Sequence, residues 1–346
     1  MPVESREHHR VGKRLPLPVR GRFRSIDSAL LPVLATVLLS VLGAIFVSGF
    51  LTAGNLKVLF QDAAPVTVIA VGSAVVILTK NIDLSLAAIV PVSAEMVIRL
   101  ETGSGFGEGT AVLTVFLIAL GVALLNGAIV AYVGISSLFA TLATWQLISG
   151  LFGVLFLGAD QYVVPKNSRF ISDLGTGDVL GVSVPIAVAA LVVIVVWLGL
   201  KYTAFGRLFV ITGDNPQAAR LNGIPVRRVV FAAFCVSALL GALSALMSLG
   251  QAGVYSSSAG DGGINTLFIA ITAVVLGGVS LSGGQGSIFG VLGGVAFISV
   301  LESIMTLLNF SEITAGLVQG IVLLAALAID RQLHPRDEET ARLDEL

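Results

Sequence analysis

Residues 201–228 read KYTAFGRLFVITGDNPQAARLNGIPVRR. Five of them are basic (Lys201, Arg207, Arg220, Arg227 and Arg228) and one, Asp214, is acidic. The stretch lies between two runs without a charge, 184–200 and 229–249. Each is close to the roughly 20 mainly apolar residues that a helix needs to cross a bilayer. A basic loop between two such runs belongs on the cytoplasmic side, where Lys and Arg accumulate.

Further candidate spans lie at 29–51, 63–79, 84–99, 111–133, 138–158, 265–280, 287–308 and 313–330, which makes ten. The third is interrupted by Asp83, Glu95 and Arg99, and its Pro91 removes a backbone donor. With the N-terminus inside, the inner segments include 1–28, 80–83, 201–228, 281–286 and 331–346. They hold 7, 1, 5, 0 and 3 Lys or Arg, which is 16 of the 20. Only Lys57, Arg99, Lys166 and Arg169 fall outside. One span more or fewer would expel either the five basic residues of 201–228 or the seven of the N-terminal tail. The expectation is an all-α polytopic membrane protein of about ten transmembrane helices with both termini cytoplasmic. A basic tail (1–28) would lead into the membrane domain (29–330), and a short tail (331–346) would close it. The first 28 residues do not read as a cleavable signal: the basic region is too long, and the small residues lie within the apolar run that follows.

Composition agrees. The 346 residues are 55% apolar and 12% charged, half the roughly 25% charge of a soluble domain, and the mean hydropathy is +0.97. This excludes a disordered chain, a nucleic-acid binder and an ordinary cytosolic enzyme. The single cysteine, Cys235, makes no intrachain disulfide, and His8, His9 and His334 all lie in the tails, so neither a metal site nor a catalytic constellation can be assembled. No Walker A loop is present. Leu281-Ser282-Gly283-Gly284-Gln285 spells the signature pentapeptide of ABC-type ATPases, but it lies between two spans without the Walker motifs that function needs, and it reads as a glycine-rich turn. The alternating Gly103, Gly105, Gly107 and Gly109 read as an outer loop, since no strand precedes them.

Few polar groups enter the spans, and such groups usually face a bundle interior or a wet cavity. Glu95, Glu302, Asn126, Thr141, Thr144 and Gln146 are candidates for a translocation path. Thr141 and Thr144 share a helical face, where interhelical hydrogen bonding is the alternative use. Asp83 and Ser85 are candidates for a gate or a helix cap. Gly286, Gly290 and Gly294, like Ser237, Gly241 and Ala245, recur every fourth residue, a spacing that lets helix backbones approach closely in lipid.

Within 201–228, Asn215-Pro216 predicts a helix start, Gln217–Leu221 one to two turns, and Asn222-Gly223-Pro225 a stop. A capped surface helix in a basic loop suits docking onto a soluble partner. Gln217-Ala218-Ala219 followed by Gly223 resembles the Glu-Ala-Ala-x-x-x-Gly coupling motif of binding-protein-dependent permeases, with Gln for the leading Glu. Together with Arg220, Thr203–Arg207, Ile82-Asp83-Leu84-Ser85, Asn126-Gly127, Leu138–Leu142 and Ala273–Gly284, it is similar to the ribose-type sugar permeases of ABC importers over about residues 55–330. This chain departs from that pattern at Lys80-Asn81, Ile264-Asn265 and Glu302.

The resemblance implies a multi-pass permease of the bacterial inner membrane that moves a monosaccharide or small polyol by alternating access. A cytoplasmic ABC ATPase, with its ATP and Mg, would dock on 201–228 through Asn215, Gln217, Ala218, Ala219, Arg220 and Gly223. An extracytoplasmic sugar-binding protein would deliver solute to loops 159–183 and 250–264, and a second permease copy or paralogue would complete the pore. This chain would carry no cofactor and no nucleic-acid site. The alternatives are an ABC permease for a branched-chain amino acid or nucleoside, and an ion-coupled secondary transporter, which would draw on Glu95 and Glu302.

Overall fold

The computed structural model describes residues 24–155, 161–256 and 262–333. The elements run α1 (Arg24–Phe46), α2 (Ala53–Leu78), α3 (Leu86–Gly103), α4 (Glu108–Ala128, continued by a π-helical turn Ile129–Val133) and α5 (Ser137–Leu155). Next come β1 (Gln161–Val163), α6 (Arg169–Thr176), β2 (Asp178–Val179), β3 (Val182–Ser183) and α7 (Val184–Tyr202). The second half holds α8 (Ala204–Asp214), α9 (Pro216–Leu221), α10 (Val226–Ala252), β4 (Val254–Ser256), α11 (Gly262–Leu276), α12 (Ile288–Leu307) and α13 (Glu312–Leu333).

Each span proposed from the sequence overlaps a helix. Among the described residues seven helices are long and apolar enough to cross a membrane: α2, α4 with its π turn, α5, α7, α10, α12 and α13. Leu30–Phe46 and Gly263–Leu276 are shorter apolar helices, and α3 carries Glu95, Arg99 and Glu101. The chain is an α-helical polytopic membrane protein. Two short ribbons qualify the all-α expectation: β1 pairs antiparallel with β4, and β2 with β3. Strands of two or three residues are too short to show an alternating pattern. The tails, residues 1–23 and 334–346, lie outside the described residues, as do 156–160 and 257–261, which include parts of the loops 159–183 and 250–264.

Helix α2 is the axis of the fold. From Thr67 to Leu78 every residue is buried, so this half of the helix has no polar face, as expected of a segment enclosed on all sides. It packs most extensively on α10, which also holds α3, α4 and α6. Close approach rather than side-chain bulk joins α11 to α12. A Cβ built on Gly290 would lie 2.1 Å from the Gly277 carbonyl oxygen, and one on Gly294 would lie 1.9 Å from that of Ala273. Pro91 cannot donate to the Ala87 carbonyl four residues back, and Gly263 of α11 packs against that place: a Cβ there would sit 2.1 Å from the Ala87 oxygen. Helices α5, α7 and α13 lie at the periphery, where few of their residues are buried.

Candidate functional site

The loop between α7 and α10 folds into two helices. Thr203 accepts from the Gly206 amide at the start of α8. Asn215 accepts from the Ala218 amide at 2.9 Å and caps α9, with Pro216 in its first turn. The end of α9 is a Schellman motif: the Ile224 amide donates to the Ala219 carbonyl, the Gly223 amide to that of Arg220, and Gly223 takes φ +76°. Ala219 is buried under the helix. Gln217, Arg220 and Leu221 face outward, and Leu221 is 90% exposed. Short as it is, α9 is held at both ends and presents an apolar tip beside a cation.

Three segments placed on one membrane side by charge meet at this end. Gly213 lies so close to the end of α2 that a Cβ there would be 1.8 Å from the Leu78 carbonyl oxygen and 2.5 Å from the Gly284 nitrogen. The Gly284 amide donates to that same Leu78 oxygen at 3.0 Å. Gly283 abuts Lys80, and Gly284 abuts Asp214. The ATPase-like pentapeptide is therefore part of a turn from Gly277 to Gly286, whose Gly278, Gly283, Gly284 and Gly286 all have positive φ. Gly286 itself is packed on Val279.

Beyond Leu78 the chain turns into α3 through a buried polar cluster. Asp83 accepts from the Ser85 amide at 3.1 Å, the Ser85 hydroxyl at 2.5 Å and the Ser237 hydroxyl of α10 at 3.0 Å. Asp83 thus closes a turn two residues ahead of itself, and Ser85, whose side chain caps nothing, precedes the helix. From α5, Ser137 Oγ accepts from the Ile82 amide (3.1 Å) and Thr141 Oγ1 from the Leu84 amide (3.0 Å).

The polar residues of the spans divide into two groups. Thr141 and Thr144 are buried and engaged in hydrogen bonds; Thr144 donates to Asn126 Oδ1 at 2.6 Å. Asn126 Nδ2 is buried without a partner. Gln146 lies on the opposite side of α5 and is exposed, next to Ala143, Gly150 and Gly153. Glu302 of α12 accepts from Gln319 of α13 at 3.1 Å. Glu95 is ion-paired with Arg99 at 2.7 Å, one turn along α3.

That ion pair begins a second polar region at the opposite end of the bundle, which residue spacing did not reveal. Arg99 also bonds Tyr162 Oη and stacks 4.6 Å from its ring centroid. Tyr162 in turn stacks on Tyr255 across the β1–β4 ribbon. Burial and the neighbouring charge of Glu95 push the Tyr255 phenol up to about 12. Glu101 bonds Ser168, and Glu108 accepts from the Ile171 amide at 2.9 Å, which ties α6 down onto the ends of α3 and α4. The acidic residues there were visible in the sequence; their partners, 63 to 67 residues away, had no local signal.

Comparison with known proteins gives the same direction. The family described as "Branched-chain amino acid transport system / permease component" matches residues 55–327. The Autoinducer 2 import system permease protein LsrC of Shigella flexneri is 32% identical over 314 residues, covering 90% of this chain and 89% of the relative. LsrC of Yersinia enterocolitica is 32% identical over 316 residues (91% and 85%), and that of Yersinia pseudotuberculosis 31% over 312 residues (90% and 86%). No solved structure matches the chain.

Proposed function

The chain belongs to the family of branched-chain amino acid transport system permease components, and from that premise we propose how it engages its partners and what it carries. It is the membrane-spanning permease subunit of an ABC importer, a transport component of the bacterial inner membrane rather than an enzyme. In our reading ten helices span, with both termini cytoplasmic, so that α8, α9 and the turns 79–85 and 277–286 face the cytoplasm. The ATPase docks on α9 and its cap: Asn215, Gln217, Ala218, Ala219, Arg220 and Gly223. The observation that carries this is a six-residue helix closed by an Asn cap and a Schellman turn, with Leu221 almost fully exposed at its tip.

The outer loops, including α6 and both ribbons, receive the binding protein. A second permease copy or paralogue packs against this one, and the solute passes alongside α5, where Gln146 is an exposed polar group. Thr141, Thr144 and Asn126 support that helix from behind. Asp83 and Ser85 hold the inner turn, Glu302 joins α12 to α13, and Glu95 serves the outer face. The solute is a monosaccharide or related small polyol, and the relatives' names put autoinducer 2 first among those to test. A branched-chain amino acid is the second reading, favoured by the family's description.

Reconstitution with an ATPase and a binding protein of the same import system should give ATP-dependent uptake of autoinducer 2 or ribose. Accumulation of leucine instead would select the second reading, and uptake that persists without the ATPase but collapses with an ionophore would defeat both. For orientation, single cysteines at Phe170→Cys and Asn215→Cys in a Cys235→Ala background are labelled with an impermeant maleimide from outside. Only the first should react; labelling of the second alone would invert the topology.

A further inference from the structure

Of the segments at the inner end, the α2–α3 turn is the one that touches both the loop below it and the helices beside it. On the loop side the contact is backbone against backbone. Gly213, at the end of α8, meets the Leu78 carbonyl with no room for a Cβ, and Gly284 is hydrogen-bonded to that same carbonyl. Such a contact has no rotamers in which a displacement can be absorbed, and close-packed interiors transmit strain. On the helix side, four to six residues further along, the turn is held by side chains of two other helices: Ser137 and Thr141 of α5, and Ser237 of α10. Helix α10 is joined covalently to α9 through Gly223–Pro225, so it needs no relay. Helix α5 packs chiefly on α3 and α4, and the turn connects it to the loop.

We propose that residues 79–85 are the relay by which movement of the ATPase-docking loop reaches α5, with Gly213 as the input contact and Ser137 as the output contact. The proposal rests on the reading of 201–228 as the ATPase-docking loop. A push on α9 is delivered through Gly213 to the end of α2, and the hydrogen-bonded turn carries it to α5, whose far side holds Gln146. Both residues act through the backbone of others and are positioning residues.

The test uses the complete complex of permease, ATPase and binding protein in proteoliposomes, with three readouts: ATPase retained on purification, ATP hydrolysed, and autoinducer 2 or ribose accumulated. Gly213→Ala drives a methyl group into the Leu78 carbonyl; Ser137→Ala removes one acceptor and adds no atoms, so it carries the test if Gly213→Ala does not insert. Each should retain ATPase at the wild-type level and keep hydrolysis within about twofold. Uptake per ATP should fall about tenfold for Gly213→Ala and about threefold for Ser137→Ala, within the range over which single mutations modulate coupling between sites. Ser137→Thr should restore it, and the double variant should lose no more than Gly213→Ala alone, because the two residues serve one relay. Wild-type uptake per ATP in Ser137→Ala, or additive losses in the double variant, would overturn the relay. Wild-type permease that retains no ATPase would instead remove the functional reading beneath it.

Discussion

The two ends of this helical bundle are built differently. At the end we read as inner, Gly213, Leu78 and Gly284 bring three chain segments into backbone contact. At the end we read as outer, α6 also meets α10 through glycines, Gly175 and Gly250, with no room for a Cβ, and long charged or aromatic side chains add further ties to α6 and the β1–β4 ribbon: Arg99 to Glu95 and Tyr162, Glu101 to Ser168, and Glu108 to an amide of α6. Side-chain ties can be remade with another partner, whereas a glycine contact tolerates neither an added atom nor a change of register. Under the proposed function, the added side-chain ties suit an end that receives and releases a soluble protein.

The comparison can be broken in four places. Glycine packing should show the largest effect: Gly294→Val, which places a side chain against the Ala273 carbonyl, should cost about 3 kcal/mol and lower the melting temperature in detergent sharply. A mild effect there would mean that the helices part easily. At the outer end, Arg99→Ala removes an ion pair and a ring contact at once and should cost about 1–2 kcal/mol, with binding-protein affinity falling more than ATPase affinity. Equal losses would deny the two ends their separate roles. Asn215→Ala removes the cap of α9 and should weaken it by about 1 kcal/mol, read as a severalfold drop in ATPase affinity at unchanged global melting.

The smallest effect concerns pH. Burial, reinforced by the nearby Glu108, holds Glu101 above the ordinary carboxylate range despite its bond from Ser168. An acid whose pKa rises on folding favours the fold when protonated. Its contribution is fully present below the unfolded value and is lost as pH rises through the raised one. The melting-temperature difference between wild type and Glu101→Gln should therefore widen as pH rises through that window. A difference that stays flat would show that Glu101 is fully solvated.

The sequence was most informative where the physics is local. Each apolar segment overlaps a helix, because an apolar run depends on composition alone, and the α9 cap and stop follow from Asn215, Pro216 and Gly223, each acting within four residues. Long-range partners were not readable. Thr141 and Thr144 share one face, as their spacing requires, but nothing in the spacing foretold that this face would be consumed by the α2–α3 turn and Asn126, leaving Gln146 on the other side. Ser237 was recognised as a small residue in a packing stripe, and its hydroxyl proves to be a ligand of Asp83 from 154 residues away. The pentapeptide at 281–285 was recognised as a turn, yet its contact with Gly213 arises only when the bundle closes.

The enclosure of α2 has a consequence for how the protein is made. Its buried second half rests on α10, and Asp83 just beyond it is paired to a residue 154 positions later in the chain. At the roughly 5–20 residues per second of synthesis, α2 waits on the order of ten to thirty seconds in the bilayer before that partner emerges. A half-helix that is apolar on every side can wait there, since lipid serves it nearly as well as α10 will. The lack of a polar face, which in the finished protein marks a core helix, also lets an early segment of the nascent chain remain in the membrane until the helices that enclose it arrive.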